Sequence, residues 1–289
     1  VFDLVFAWLA GIASGIAPLV LKITSKSLVK DPWVFNLFWI TFGIPFGVTY
    51  GLVFGGGFPQ DWSSVLLMAF SSAAFFSLYT IALFRMDVSA MAPLFSFRVI
   101  FAFFLGVVFL NESISLISLS LVAIIVIFSP LATYNPTLRL KALFTFPVLL
   151  AVAGMFFLAL LGYYTTVSSR TNGYATTVLW ADLVTCFVLL PTIALADRNE
   201  LKINVKKLKL MALIGFTSFI YTAAAAEAYR RNLALSSVII SLPLSMILAV
   251  TLSKRLPQLK EDHSKHVYKL RFLGAGIMIA AGLVLSFVS

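Results

Sequence analysis

Ten apolar runs, each long enough to cross a bilayer, dominate this chain. A spanning helix needs about 20 mainly apolar residues, because the helix rises about 1.5 Å per residue and the hydrocarbon layer is about 30 Å thick. The runs predict helices over 2–22, 33–54, 62–84, 88–110 and 114–132, then over 143–167, 172–196, 208–229, 233–253 and 270–288. They do not alternate with polar residues, so membrane β-strands are excluded. The breaks hold turn and interface residues: Lys30-Asp31-Pro32, Gly55-Gly56-Gly57, Asn111-Glu112, Asn135-Pro136 and Asn172-Gly173. The predicted class is therefore all-α, a polytopic membrane protein with ten transmembrane helices. Composition agrees. Only 11% of residues are charged, 61% are hydrophobic, and the mean hydropathy is +1.03. A soluble domain carries about a quarter charged residues. This chain could not cover its surface with polar groups, so the lipid bilayer is its first partner. No length remains for a separate soluble domain.

The net charge of +10 would suggest nucleic acid in a soluble protein. Here the basic residues sit between apolar runs, where membrane topology places them, and nucleic-acid binding is excluded on that ground. Of the 21 Lys and Arg, Arg170, Arg230 and Arg231 lie in even-numbered connections and Arg98 lies within a helix, so the odd-numbered connections hold the other 17. That asymmetry puts the odd connections in the cytoplasm and both termini outside. The single cysteine, Cys186, excludes an intramolecular disulfide and a cysteine metal cluster. The first apolar run is too long, and lacks the basic start, for a cleaved signal peptide.

Five runs plus five suggest duplication. Asp31-Pro32-Trp33 to Trp39 matches Asn172-Gly173-Tyr174 to Trp180, both at the start of the second helix of a half, and Arg85 and Arg230 stand before the fourth and ninth helices. An odd number of helices per repeat inverts the halves relative to each other. Inverted repeats are a frequent transporter design with the substrate site between them. The predicted repeats are 1–134 and 135–289.

Several stretches resemble the EamA-like branch of the drug/metabolite transporter superfamily. The first runs from Ala82-Leu83 through Val88-Ser89-Ala90-Met91-Ala92-Pro93-Leu94 to Phe109-Leu110-Asn111-Glu112. A counterpart is Ala234-Leu235-Ser236-Ser237-Val238 through Leu242-Pro243, and Leu273-Gly274-Ala275-Gly276 to Gly282 is similar to the family's last helix. The resemblance implies two inverted five-helix repeats around a central cavity. There are two departures. Lys254-Arg255 stands where a second Glu is expected after the ninth helix. The family also implies cytoplasmic termini, opposite to the charge count.

Arg98 is the sharpest candidate for chemistry. It lies mid-helix, too far from either end to snorkel. A charge at bilayer depth costs about 2.5–3.5 kcal/mol on insertion scales and faces a cavity or a partner. Its guanidinium could anchor a carboxylate or phosphate, or pair structurally with Asp182 or Glu227. Asp182, half-way along the seventh helix, is placed either for proton coupling or as that partner. Glu227 is a further candidate substrate contact, or, near Arg230 and Arg231 at a helix end, an interfacial carboxylate that needs no transport role. Asn36, Trp39 and Trp180, on the second helices of the two halves, are candidate cavity-lining groups. Tyr163, Tyr79 and Tyr221 are possible hydroxyl donors, each equally explained by packing. Gly43, Gly47, Gly51 and Gly55, and Gly11 with Gly15, recur every four residues and predict close helix packing. Pro18, Pro45, Pro93, Pro191 and Pro243 fall within spans, and Pro93 and Pro243 are candidate hinges. His263 and His266, with Glu261 and Asp262, lie in a charged loop and read as solvated rather than as a metal site.

The function these features favour is secondary transport of a small organic metabolite by alternating access, through exchange or proton coupling, from an integral position in the plasma (inner) membrane. A carboxylate- or phosphate-bearing substrate suits Arg98. The chain is read as a monomer or homodimer. No nucleotide loop, hydrolase elbow or zinc helix motif occurs, so no cofactor and no enzymatic activity are expected. The alternatives are an intramembrane enzyme, which would need clustered catalytic groups at membrane depth, and a channel or non-transporting scaffold, for which rings of like residues would be expected.

Overall fold

The computed structural model describes residues 4–25, 29, 31–85, 94–132, 134, 145–202, 204–253 and 264–288. The described residues are helical throughout, joined by short connections, with no strand among them. The helices are α1 (Val5–Ser25), α2 (Pro32–Val53), α3 (Trp62–Arg85), α4 (Phe95–Phe109), α5 (Leu116–Ala132), α6 (Phe146–Thr171), α7 (Tyr174–Leu189), α8 (Val205–Arg231), α9 (Leu233–Ile240), α10 (Leu244–Ser253) and α11 (Lys265–Val288). Each apolar run finds its helix, with two modifications. The seventh run ends in a 3-10 segment, Leu190–Leu195, with Pro191 in its first turn. The ninth is broken at Ser241–Pro243 into α9 and α10. Proline has no N–H for the helical ladder, so both changes fall where the ladder is cut. Among the described residues, seven helical segments are long and apolar enough to cross a membrane, and Val5–Ile16, Phe95–Phe109 and Leu116–Ala132 are shorter apolar helices.

Local chemistry fixes several ends. Asp31 accepts the amides of Trp33 and Val34, with Pro32 in the first turn, and so caps α2. Asn204 caps α8 and Asn232 caps α9. The even-numbered connections meet at one end of the bundle. The Asp61 amide donates to Asn172 Oδ1 over 2.7 Å, Asn172 Nδ2 donates to the Asp61 carbonyl, and Gly57 N donates to Thr176 Oγ1. Hydrogen bonds from the Ser63 and Ser64 hydroxyls hold the Asp61 carboxyl below the ordinary aspartate range. Odd-numbered connections meet at the other end, where Asp31 N donates to Glu200 and Asp197 N donates to Asp31.

The glycine stripes act as the sequence suggests. A Cβ on Gly51 would lie 2.4 Å from Leu179 Cβ, and one on Gly47 would lie 3.3 Å from the Val178 carbonyl, so α2 and α7 touch backbone to backbone. Gly11 and Gly15 face the break in the ninth run, with Gly15 against Ser245 N at 3.1 Å. Gly55 is different. It lies in the turn after α2 with φ +79°, outside the packed stripe.

The packing pairs repeat across the two halves. α3 lies on α6 and α1 on α8; α2 on α8 and α3 on α7; α4 on α6 and α1 on α9 and α10. α2 packs on α7, α4 on α9 and α5 on α11. Every residue of α9 is buried, while large apolar side chains such as Phe70, Phe104 and Phe287 face outward on other helices. A lipid solvent makes that outward surface favourable.

Candidate functional site

Arg98 is 3% exposed on the inner face of α4, which continues through Val99, Ala102, Leu105 and Gly106. Small residues there let α9 approach: a Cβ on Gly106 would lie 3.1 Å from Ala234 Cβ. Arg98 Nη2 donates to the Tyr221 hydroxyl at 3.4 Å and to the Tyr229 hydroxyl. Both tyrosines belong to α8. Arg98 Nε is buried and has no hydrogen-bond partner. The expected ion pair of Arg98 with Asp182 or Glu227 does not form. Phenol hydroxyls hold one end of this guanidinium, and its buried Nε has no hydrogen-bond partner.

Asp182 lies elsewhere, on α7 and 9% exposed, with no hydrogen bond or ion pair among the described residues. Its Oδ2 lies 2.6 Å from where a Cβ on Gly43 would be. Glu227 is fully engaged. It accepts Nε and Nη2 of Arg230 at 3.0 and 2.9 Å and Nε of Arg231 at 2.9 Å. This interfacial triad leaves no carboxylate oxygen unpaired, which fits the structural reading of Glu227.

The other candidates separate in the same way. Asn36 is wholly buried and locked: its Nδ2 donates to the Phe76 carbonyl at 3.1 Å and its Oδ1 accepts Thr80 Oγ1 at 2.6 Å. It ties α2 to α3 and is not a cavity-lining group. Trp39 packs against Phe35 and Phe76, and its Nε1 donates to Ser218 on α8. Trp180 sits at the even-connection end. Its Nε1 donates to the Gly57 carbonyl at 2.8 Å, and its ring meets Trp62 and the largely exposed Phe58. These rings form an aromatic cluster at that end of the bundle. Tyr163 packs against Phe109 and Tyr164, on the same core cluster as Tyr221 and Tyr229. Tyr79 packs on Phe75 and Phe95. Pro93, His263, Glu261, Asp262 and Lys254-Arg255 lie outside the described residues.

Two functional neighbours carry no strong sequence signal. Tyr229 is one more aromatic residue near a helix end. Glu112 closes the Leu110-Asn111-Glu112 motif, and its work depends on a distant segment. Asn111 takes φ +53° after α4, so the chain folds back over Gly106. Glu112 Oε1 then accepts Leu233 N at 2.6 Å, and Oε2 accepts Ala234 N at 2.9 Å. A carboxylate from the first half thus caps α9 of the second. Arg170 stands 3.9 Å away and also donates to the Arg230 carbonyl.

Fold and site together define an α-helical integral membrane protein with an isolated guanidinium inside its helix bundle. Residues 2–133 match the model of the EamA-like transporter family. No curated protein matches the chain. A solved structure described as "Crystal structure of protein" is similar with a TM-score of 0.77 and 12% identity, covering 99% of this chain and 96% of its own. At that identity the likeness shows the fold alone.

Proposed function

We propose that this chain is a secondary transporter that moves a small organic anion across the plasma (inner) membrane by alternating access. The observation that carries this reading is Arg98, a guanidinium inside an apolar bundle whose hydrogen-bond partners are phenols and whose Nε has none. A buried charge is stable when paired and hydrogen-bonded. A carboxylate or phosphate oxygen arriving at Nε would complete the pairing, and the fork of donors suits both groups.

The proposed architecture is ten spans in two inverted repeats, 1–134 and 135–289. The packing pairs support it. Exchanging each of the first five spans for its counterpart in the second half turns α3 on α6 into α8 on α1, α2 on α8 into α7 on α3, and α4 on α6 into the ninth span on α1. The pairs α2 with α7, α4 with α9 and α5 with α11 map onto themselves. The broken ninth span beside Gly11 and Gly15 supports the carrier reading further, because discontinuous helices are recurrent elements of transporter sites. The basic odd connections favour a cytoplasmic position for that end and external termini. Transport proceeds by exchange or proton coupling, in a monomer or homodimer.

Ligand-induced stabilisation tests the anion site. In detergent, the thermal midpoint of the wild type should rise with millimolar carboxylates or sugar phosphates from a pooled panel, since a ligand that binds only the folded state stabilises it. The same panel should leave Arg98→Ala unmoved. Equal shifts in both proteins would place anion binding away from Arg98.

A further inference from the structure

We propose that Asp182 is the proton-binding site of the transport cycle, a single carboxyl that takes up and releases a proton where α2, α7 and α8 cross. The proposal rests on the carrier reading above and assigns its coupling group.

The geometry at this crossing is specific. Gly43 of α2 lies directly under the carboxyl, with Asp182 Oδ2 at 2.6 Å and the Gly215 carbonyl of α8 at 3.7 Å from the position its Cβ would take. Gly215 in turn abuts α2: a Cβ there would lie 2.3 Å from the Phe42 carbonyl. Two glycines therefore let three backbones close on one acid. Asp182 makes no hydrogen bond and no ion pair among the described residues, so an ionised carboxylate has nothing there to pair with, and the neutral acid is the form that burial favours.

Among the described residues, the ionisable groups of the neighbouring helices are distant from the site or engaged elsewhere, and on α6 Tyr164 packs in the cluster of Ala181 and Val184 with its ring against Tyr163. α2 presents no ionisable group between Trp39 and Tyr50. Tyr50 and its partner Tyr174 lie about two turns away toward the even-connection end. On α8, Tyr221 is six residues beyond Gly215 and is engaged with Arg98, and Lys207 is eight residues before it, with its ammonium on the carbonyls of Glu200 and Lys202. α3 brings Val65, Met68 and Ala69 to the neighbouring Ala181 and Val184. On α7 itself, Cys186 is one turn on and shares a hydrogen bond with Thr41. A lone carboxyl without a charged or hydrogen-bonded partner among the described residues is suited to a proton, and no group of three His, Cys, Asp or Glu gathers around it there to hold a metal.

The physical consequence is a proton-dependent crossing. The acid form permits close contact of α2 with α7 and α8. Loss of the proton leaves an unpaired charge in this close crossing, which favours separation of the helices and entry of water. Such a group couples protonation to the alternation of access, since each state binds the proton differently.

Infrared difference spectroscopy of the full chain in lipid nanodiscs tests this, stepped between about pH 5 and about pH 9 so that the range brackets ordinary and strongly perturbed carboxyls. The wild type should show a carboxylic-acid carbonyl band that disappears as pH rises, and the band should be absent from the near-isosteric Asp182→Asn. Glu227→Gln should retain it. A wild-type spectrum without the band overturns the proposal whether or not any variant folds. Persistence of the band in folded Asp182→Asn also overturns it, as does loss of the band when sodium replaces potassium at fixed pH. No substrate is required. A missing band therefore removes the proton site while leaving the anion carrier standing, whereas absence of any Arg98-dependent anion effect removes the carrier reading with the band intact.

Discussion

Replacing Glu112 measures how firmly one half of the molecule holds the other. The carboxylate is about 5% exposed and accepts two backbone N–H groups of α9, at 2.6 and 2.9 Å. Each hydrogen bond to a charged group contributes about 1.5–3 kcal/mol, and removal strands its buried partner. Arg170 adds little, since it is 40% exposed and 3.9 Å away. Part of the gain is offset by the cost of burying the carboxylate. The expected loss for Glu112→Ala is therefore about 2–4 kcal/mol. Glu112→Gln keeps one acceptor oxygen without the charge and should lose about 1–2 kcal/mol. The assay is reversible unfolding in mixed micelles, paired with hydrogen exchange at the amides of Leu233 and Ala234. Those amides should lose protection in Glu112→Ala more than amides in the middle of α3. A Glu112→Ala protein within about 0.5 kcal/mol of wild type, an ordinary surface effect, with Leu233 and Ala234 still protected, would refute the inter-half cap.

Gly51→Ala should destabilise by about 1–3 kcal/mol, because the new methyl meets Leu179 Cβ at 2.4 Å and the Ala175 carbonyl at 2.9 Å, neither able to swing aside; denaturant unfolding reads it. Gly43→Ala should cost a similar amount, and the double change with Asp182→Ala should recover part of it, so a non-additive cycle checks that the methyl displaces the carboxyl. Asn36→Leu removes two interhelical hydrogen bonds and should cost about 0.6–2 kcal/mol, with no change in anion binding. Asp61 contributes in the opposite direction on the pH axis. Its folded carboxyl lies below the ordinary aspartate range, so its stabilisation is present above that range and is lost as pH falls through the folded value. A wild-type minus Asp61→Asn stability difference that shrinks on acidification checks the sign.

Much of the helical framework was legible because the bilayer imposes a length on apolar runs that no local propensity can mimic. The breaks were harder. Pro191 and Pro243 mark where the ladder is cut, but whether a span merely kinks or splits into α9 and α10 depends on Gly11 and Gly15 filling the break from another helix. The buried charges were legible by their rarity. Their partners were not, since the rotation of α4 and α8 about their axes decides that Arg98 meets Tyr221 and Tyr229 rather than a carboxylate. The partner of Trp180 was hidden for a related reason, since only the fold brings the Gly55–Gly57 turn back to receive its N–H. Glu112 belonged to a quoted motif, and only the fold reveals that the motif caps a helix more than a hundred residues away.

The central claim is that Arg98 receives a transported anion. Counterflow in proteoliposomes loaded with unlabelled amino acids, organic acids and sugar phosphates, with labelled counterparts outside, tests it most directly when wild type and Arg98→Ala are reconstituted at equal density. The account predicts accumulation of a labelled anion by the wild type and loss of at least about tenfold in rate in Arg98→Ala, equivalent to about 1.4 kcal/mol of lost interaction. Equal counterflow by the two proteins, or uptake confined to neutral and cationic compounds, would contradict it.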